Sequence, residues 1–223
     1  MMCRAFLFFV ILLSCISIAK ADPQIEVNGG QCFYNQSGVG EWWQGEGYES
    51  KSLRSECWQL GISDTFRERA GFNDGWRIAW VDLGTPALHE VASGGPGPQP
   101  HWWADGEGAF YGASLGVFRA WRGRLSPSIE GGIFAYRSQW HASAWHNASG
   151  KLNPEFSTPA RHSATLYIGA GIAYRLTDSL SWTMNARIYP RLRSNTMEPR
   201  GDTVGSKYVD VIVFNTGISF AWK

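Results

Sequence analysis

The sequence predicts an all-β chain folded as an eight-stranded antiparallel up-and-down transmembrane β-barrel, with four long outer loops and short periplasmic turns. Three observations predict it. Segments of about ten residues in which apolar and polar side chains alternate with period two recur along the chain. The connections between them are alternately long and short, as expected when odd connections lie at one end of a barrel and even ones at the other. After the N-terminal segment no apolar run approaches the ~20 residues a membrane helix needs, so only strands could cross a bilayer. A closed barrel is then required, because lipid cannot satisfy an open sheet edge.

The 223 residues carry 12 Trp and 14% aromatic side chains, with 20 Lys and Arg against 19 Asp and Glu. That balance leaves no basic field to hold a polyanion, which excludes nucleic acid as a partner. A mean hydropathy of -0.22 is compatible with a barrel, whose polar lumen residues offset its lipid-facing ones.

Arg4, the apolar run Phe6 to Leu13 and Ala19-Lys20-Ala21 read as a cleaved signal peptide over residues 1–21, leaving a single barrel domain over 22–223. A rival reading is a lipoprotein box at Leu12-Leu13-Ser14-Cys15, with an atypical central Leu and Cys15 as lipid carrier. Cleavage would leave two cysteines, Cys32 and Cys57, in an oxidising compartment.

The strands read, in order, as Gln24 to Tyr34, Ser55 to Phe66, Trp76 to Leu83, Ala109 to Trp121, Ser128 to Trp140, Ser163 to Leu176, Leu180 to Tyr189 and Lys207 to Trp222. The sixth alternates most clearly: Leu166, Ile168, Ala170, Ile172 and Tyr174 share one face, and Tyr167, Gly169, Gly171, Ala173 and Arg175 the other. The seventh repeats this with Leu180, Trp182, Met184, Ala186 and Ile188 opposite Ser181, Thr183, Asn185 and Arg187. In the third, Arg77, Ala79, Val81 and Leu83 compete with Trp76, Ile78 and Trp80 for the apolar face, and the fifth suggests a bulge at Gly131-Gly132. Long connections fall at 36–54, 84–108, 141–162 and 190–206, and short ones at 67–75, 122–127 and 177–179. Gly94 to Pro100 reads as an exposed stretch of the second outer loop. A soluble lipocalin-like barrel would carry the reverse pattern, apolar inside and polar outside.

The last strand, Phe214 to Trp222, alternates Phe214, Thr216, Ile218, Phe220 and Trp222 almost to the end of the chain. It resembles the C-terminal strand of Gram-negative outer-membrane barrels, with Phe214, Ile218, Phe220 and Trp222 matching their assembly signal and Lys223 departing from it. The turn Arg175-Leu176-Thr177-Asp178-Ser179-Leu180-Ser181 resembles the periplasmic turns of small barrels related to OmpA, OmpX and the opacity-like adhesins. The resemblance implies a monomer in the bacterial outer membrane. Its implied partners are outer-membrane lipid, lipopolysaccharide and the barrel-assembly machinery, with the ligand of the loops undetermined.

Glu26, Asn28, Gln31, Gln59, Glu130, Arg175, Asn185 and Arg187 are expected in the lumen, since a mid-bilayer Arg facing lipid costs about 2–4 kcal/mol. Of these, Glu26, Glu130, Arg175 and Arg187 are the expected charge network, because buried charges persist only when paired. Trp42, Trp43, Trp58, Trp76, Trp80, Trp102, Trp103, Trp121, Trp140 and Trp222 are expected in two interfacial girdles. Parity puts Cys32 and Cys57 on the lumen face of consecutive strands, where they are expected to sit opposite one another and to form a disulfide.

No zinc-type spacing, phosphate loop or nucleophile elbow is present, so no metal or other cofactor is expected. His141, His146 and the pair His162-Ser163 are the residues that could serve a lipid-A-modifying barrel such as a deacylase or acyltransferase, but the surrounding motifs of those families are missing. Asn147-Ala148-Ser149 matches a glycosylation acceptor and is assigned no role. The first reading of function is a non-enzymatic surface protein acting through its outer loops around a plugged polar lumen. A lipid-A-modifying enzyme is the second, and a small-solute pore or soluble binder follows.

Overall fold

In the computed structural model, residues 23–35, 48–52, 54–92, 102–146, 150–195 and 206–222 are described. The expectations for the signal peptide, Cys15, Gly94 to Pro100 and Asn147 lie outside them, as do those for Trp42 and Trp43.

Among the described residues there are eleven strands: β1 (Gln24–Tyr34), β2 (Tyr48–Ser52), β3 (Arg54–Arg69), β4 (Phe72–Asp82), β5 (Ala87–Ala92), β6 (Trp102–Trp121), β7 (Leu125–His146), β8 (Gly150–Ser157), β9 (Arg161–Arg175), β10 (Leu180–Asn195) and β11 (Ser206–Ala221). Eight of them, in the order β1-β3-β4-β6-β7-β9-β10-β11, form an antiparallel ring that closes where β11 pairs with β1, Gln24 facing Ala221. The turns at 70–71, 122–124 and 176–179 lie at one end of the ring together with Pro23 and Trp222, which are joined by a backbone hydrogen bond.

The eight expected strands all form, but three more lie within connections read as loops. At the long-connection end β6 and β7 run on beyond the ring. There β5 pairs with β6, β2 with β5, and β8 with β7, giving a five-stranded outer extension in the order β2-β5-β6-β7-β8. The bulge expected at Gly131-Gly132 is absent: both glycines stay in register with β6 and β9. Register shifts occur instead in β3 between Thr65 and Arg67 and in β10 between Tyr189 and Leu192.

The two faces of the ring are chemically opposite. Val27, Leu115, Val117, Ile129, Ile133, Leu166, Ile168, Ile172, Met184, Ile188 and Ile218 point outward and are each at least 40% exposed. Aqueous solvent would penalise this belt at about 25 cal/mol per Å² of apolar surface, whereas lipid does not. Phe66, Trp121, Leu125, Leu176 and Phe220 rim it at the short-turn end, and Trp58 and Tyr208 at the other. This is the transmembrane arrangement, the reverse of a soluble ligand-carrying barrel. In β4 the ambiguity is resolved: Trp80 is exposed outside while Ala79, Val81 and Leu83 are buried inside.

Two corrections concern facing. Gln31 is exposed on the outer surface, odd in number like Val27, and lies opposite Glu56 near the outer rim where a polar side chain meets headgroups rather than hydrocarbon. Trp140 belongs to no girdle; it is fully buried in the lumen and its indole N–H donates to Ser194 Oγ at 3.1 Å.

Candidate functional site

The barrel interior has three storeys. The outer one is apolar, contrary to the expected polar lumen. Cys32, Tyr34, Cys57, Val81, Leu83, Phe110, Phe134, Tyr136, Trp140, Tyr189, Leu192, Val209, Val211 and Val213 form one buried cluster. Its rings are interlocked: Phe134 stacks on Tyr136 at 5.3 Å and meets Tyr189 edge-on at 5.0 Å, and Phe110 meets Trp140 at 6.5 Å. The polar tips of this plug are satisfied, as burial requires: the Tyr34 hydroxyl donates to the Leu83 carbonyl at 2.8 Å, and Ser138 Oγ to that of Arg193 at 3.1 Å.

Beneath it lies a layer of four charges drawn from alternate strands of the ring: Glu26 on β1, Arg77 on β4, Glu130 on β7 and Arg187 on β10. Arg77 donates through Nη2 to Glu26 Oε1 at 3.0 Å and through Nη1 to Glu130, whose other oxygen accepts from Arg187 Nε. Ser63 Oγ also donates to Glu26 Oε1, at 2.7 Å. All four side chains are at most 12% exposed, and their charges cancel, which is what makes their burial tolerable. The layer depends on residues without side chains. Glu130 and Arg187 both face Gly169 in the register, and a Cβ there would lie 2.9 Å from Arg187 Cγ. Tyr167 likewise crosses Gly132 to bring its hydroxyl over Gly116, where a Cβ would meet it at 2.2 Å.

The third storey is a polar vestibule of about 610 Å³, open at the short-turn end and reaching up to Glu26 and Arg77. Ser63, Ser128, Thr183, Asn185 and Ser219 line its walls. Glu26 Oε2 and Asn185 Nδ2 are buried in this wall without a protein hydrogen-bond partner among the described residues. Deeper in that wall Thr183 Oγ1 donates to Asn28 Oδ1 at 2.8 Å.

Of the expected network, Glu26, Glu130 and Arg187 are brought together and Arg175 is not. Arg175 ends β9, is exposed, and sits at the vestibule mouth six residue pairs below the level of Gly169. Its place is taken by Arg77, which sequence reasoning left in the ambiguous third strand. The signal that could have found it was the lipid cost of an outward Arg, applied there as it was elsewhere.

Cys32 and Cys57 are both buried free thiols. They share the lumen face, but Cys32 faces Ser55 and Cys57 faces Gly30, so they are diagonal neighbours two residue pairs out of register and not the directly opposed pair expected. Diagonal positions lie roughly 7–8 Å apart, beyond the Cα separation a disulfide prefers. Phe214, Ile218 and Phe220 face outward in the belt, with Trp222 half-buried beside Pro23.

Among the histidines, His162 and Ser163 point to opposite faces of β9 and cannot act together. His141, at the base of the outer extension, is within 2.6 Å of Ser157 Oγ through Nδ1, and Glu107 faces it from β6. Among the described residues no group of three or more His, Cys, Asp or Glu could hold a metal ion.

No protein-family model matches the chain, and no curated protein matches it in sequence. Solved structures do. A major outer membrane protein of Thermus thermophilus superposes with a TM-score of 0.52 at 12% identity, covering 92% of this chain and 100% of that one. OprG of Pseudomonas aeruginosa aligns over 91% of this chain and 97% of its own at 14% identity and a TM-score of 0.44. Neisserial surface protein A aligns over 92% and 100% at 12% identity and 0.40. At such identities the likeness is one of fold: the chain has the eight-stranded barrel fold of bacterial outer-membrane proteins.

Proposed function

We propose that the chain is a non-enzymatic protein of the bacterial outer membrane whose interactions are made by the sheet extension and loops at its outer end, the barrel serving as their anchor. Lipopolysaccharide and membrane lipid surround it, and the barrel-assembly machinery reads its last strand. The observation that carries this is the interior: the aromatic plug and the four-charge layer fill the barrel above the vestibule with buried side chains, so transport is a poor use of this barrel, whereas the strand pairing of β2, β5 and β8 gives the outer end a built surface. The experiment is expression in a Gram-negative host, followed by planar-bilayer recording and mass spectrometry of lipid A. Absence of a large steady conductance together with unchanged lipid A supports the reading, and either signal overturns it.

A second reading is favoured by one contact. His141 and Ser157, hydrogen-bonded and exposed at the outer end with Glu107 opposite, have the residue types of a base-activated nucleophile. On this reading the chain deacylates or transfers acyl chains on lipid A, and Ser157→Ala abolishes a lipid A mass change that the unaltered protein produces.

A further inference from the structure

We propose that Arg191 and Arg193 form a binding site for the phosphorylated headgroup of lipid A. The proposal rests on the outer-membrane orientation given above and adds a ligand and a place.

The site begins with a register shift. Tyr189 points into the lumen, so regular alternation along β10 would send Arg191 and Arg193 inward after it, into the apolar plug. The bulge between Tyr189 and Leu192 inserts one residue and reverses the parity above it. Leu192 and Ser194 become the buried residues, at 0% and 1% exposure, and the two arginines turn outward. Arg191 holds this turn with φ at 54°, the only positive value at a non-glycine position among the described residues. An Arg in the left-handed region is strained, and such strain is retained where it aims a side chain. Asp210 secures the bulge by accepting a hydrogen bond from the Arg191 backbone N–H at 2.8 Å.

Both guanidinium groups then converge on one ring, Arg191 at 5.0 Å and Arg193 at 5.8 Å from the centroid of Tyr208 on β11. Cation–π stacking restrains two long side chains that would otherwise move independently, and the planar guanidinium has the fork geometry that grips phosphate oxygens in pairs. Directly below this pair, Ile188 and Ile212 are exposed in the lipid belt. The site therefore offers cations at headgroup depth above a surface for acyl chains. A soluble anion would use only the upper half of this arrangement, whereas an outer-leaflet lipid with phosphate on its headgroup uses both. Among the described residues Asp210 is an acidic group beside the arginines, and the backbone hydrogen bond engages its Oδ1.

The test uses the refolded full-length barrel in detergent micelles, titrated with bisphosphorylated lipid A, dephosphorylated lipid A and phosphatidylglycerol, with complexes counted by native mass spectrometry. The double variant Arg191→Gln/Arg193→Gln is compared with Arg124→Gln, since Arg124 stacks on Tyr174 at 5.1 Å in the same manner but at the short-turn end. Bisphosphorylated lipid A should bind the unaltered protein at least tenfold more tightly than the other two lipids. The double variant should lose that preference and Arg124→Gln should keep it. Equal binding of all three lipids, a preference that survives in the double variant, or an equal loss in Arg124→Gln overturns the site. Heat-modifiable migration of every variant reports the barrel separately, so a failure of the fold is distinguished from a failure of the site.

Discussion

Arg187 donates a hydrogen bond to Glu130 across the full width of β9, and the residue it passes over is Gly169. The side-chain layer that joins β7 to β10 thus depends on an atom that is missing from the strand between them. Substituting Gly169 by Val should separate the pair, because even a Cβ would stand 2.9 Å from Arg187 Cγ and 3.1 Å from Glu130 Oε1. A loss of about 3–5 kcal/mol in denaturant-induced unfolding in detergent is expected, the range for a broken buried ion pair. Gly171→Ala tests the same wall one step lower and should be milder, since Asn185 Oδ1, the nearest atom at 2.4 Å, belongs to a side chain that can turn.

Removing single charges gives a different signature from removing the pair. Glu130→Gln leaves Arg77 and Arg187 without their shared carboxylate and should destabilise by about 3 kcal/mol or more, while an apolar replacement of both Glu130 and Arg187 should cost less than the two single changes added together. A double-mutant cycle on unfolding free energy measures this, and simple additivity would refute the coupling.

The plug predicts electrical silence and a way to end it. Phe134 is completely buried and packs on Tyr136 and Tyr189, so Phe134→Ala should destabilise by about 3–5 kcal/mol. Combined with Tyr167→Ala, which empties the space over Gly132 and Gly116, it should raise single-channel conductance above that of the unaltered barrel in planar bilayers.

Thiol labelling of denatured, unreduced protein should modify both Cys32 and Cys57, and neither should react while the barrel is folded. Failure of both to label until reductant is added would show that these neighbouring thiols are joined in a disulfide and not free.

The ring of eight strands was legible because lipid and lumen impose opposite chemistry on alternate residues, and β9 and β10 carry that alternation over most of their length. It faded where both faces are apolar. In the outer half of β11, Val209, Val211 and Val213 point in while Ile212 and Phe214 point out, so hydrophobicity alone conceals the apolar plug. The charge layer was legible as to its residue types but not its membership, since three of its four residues were found and Arg77 was hidden by the mixed pattern of β4. The bulge in β10 was invisible for a different reason: a one-residue shift changes parity without changing composition, and the sequence Tyr189-Pro190-Arg191-Leu192-Arg193 alternates acceptably in either phase. The pairing of β2, β5 and β8 is a property of partners brought together by the ring, which local pattern does not encode.

The vestibule makes the molecule a stopper when approached from one side of the membrane and a cup when approached from the other. A bulky, membrane-impermeant reagent should therefore reach a cysteine placed at Ser128 through the mouth between the short turns and not from the loop end. One engineered position in the wall would then serve as a gauge of which way the barrel has been inserted, with no need to tag a loop.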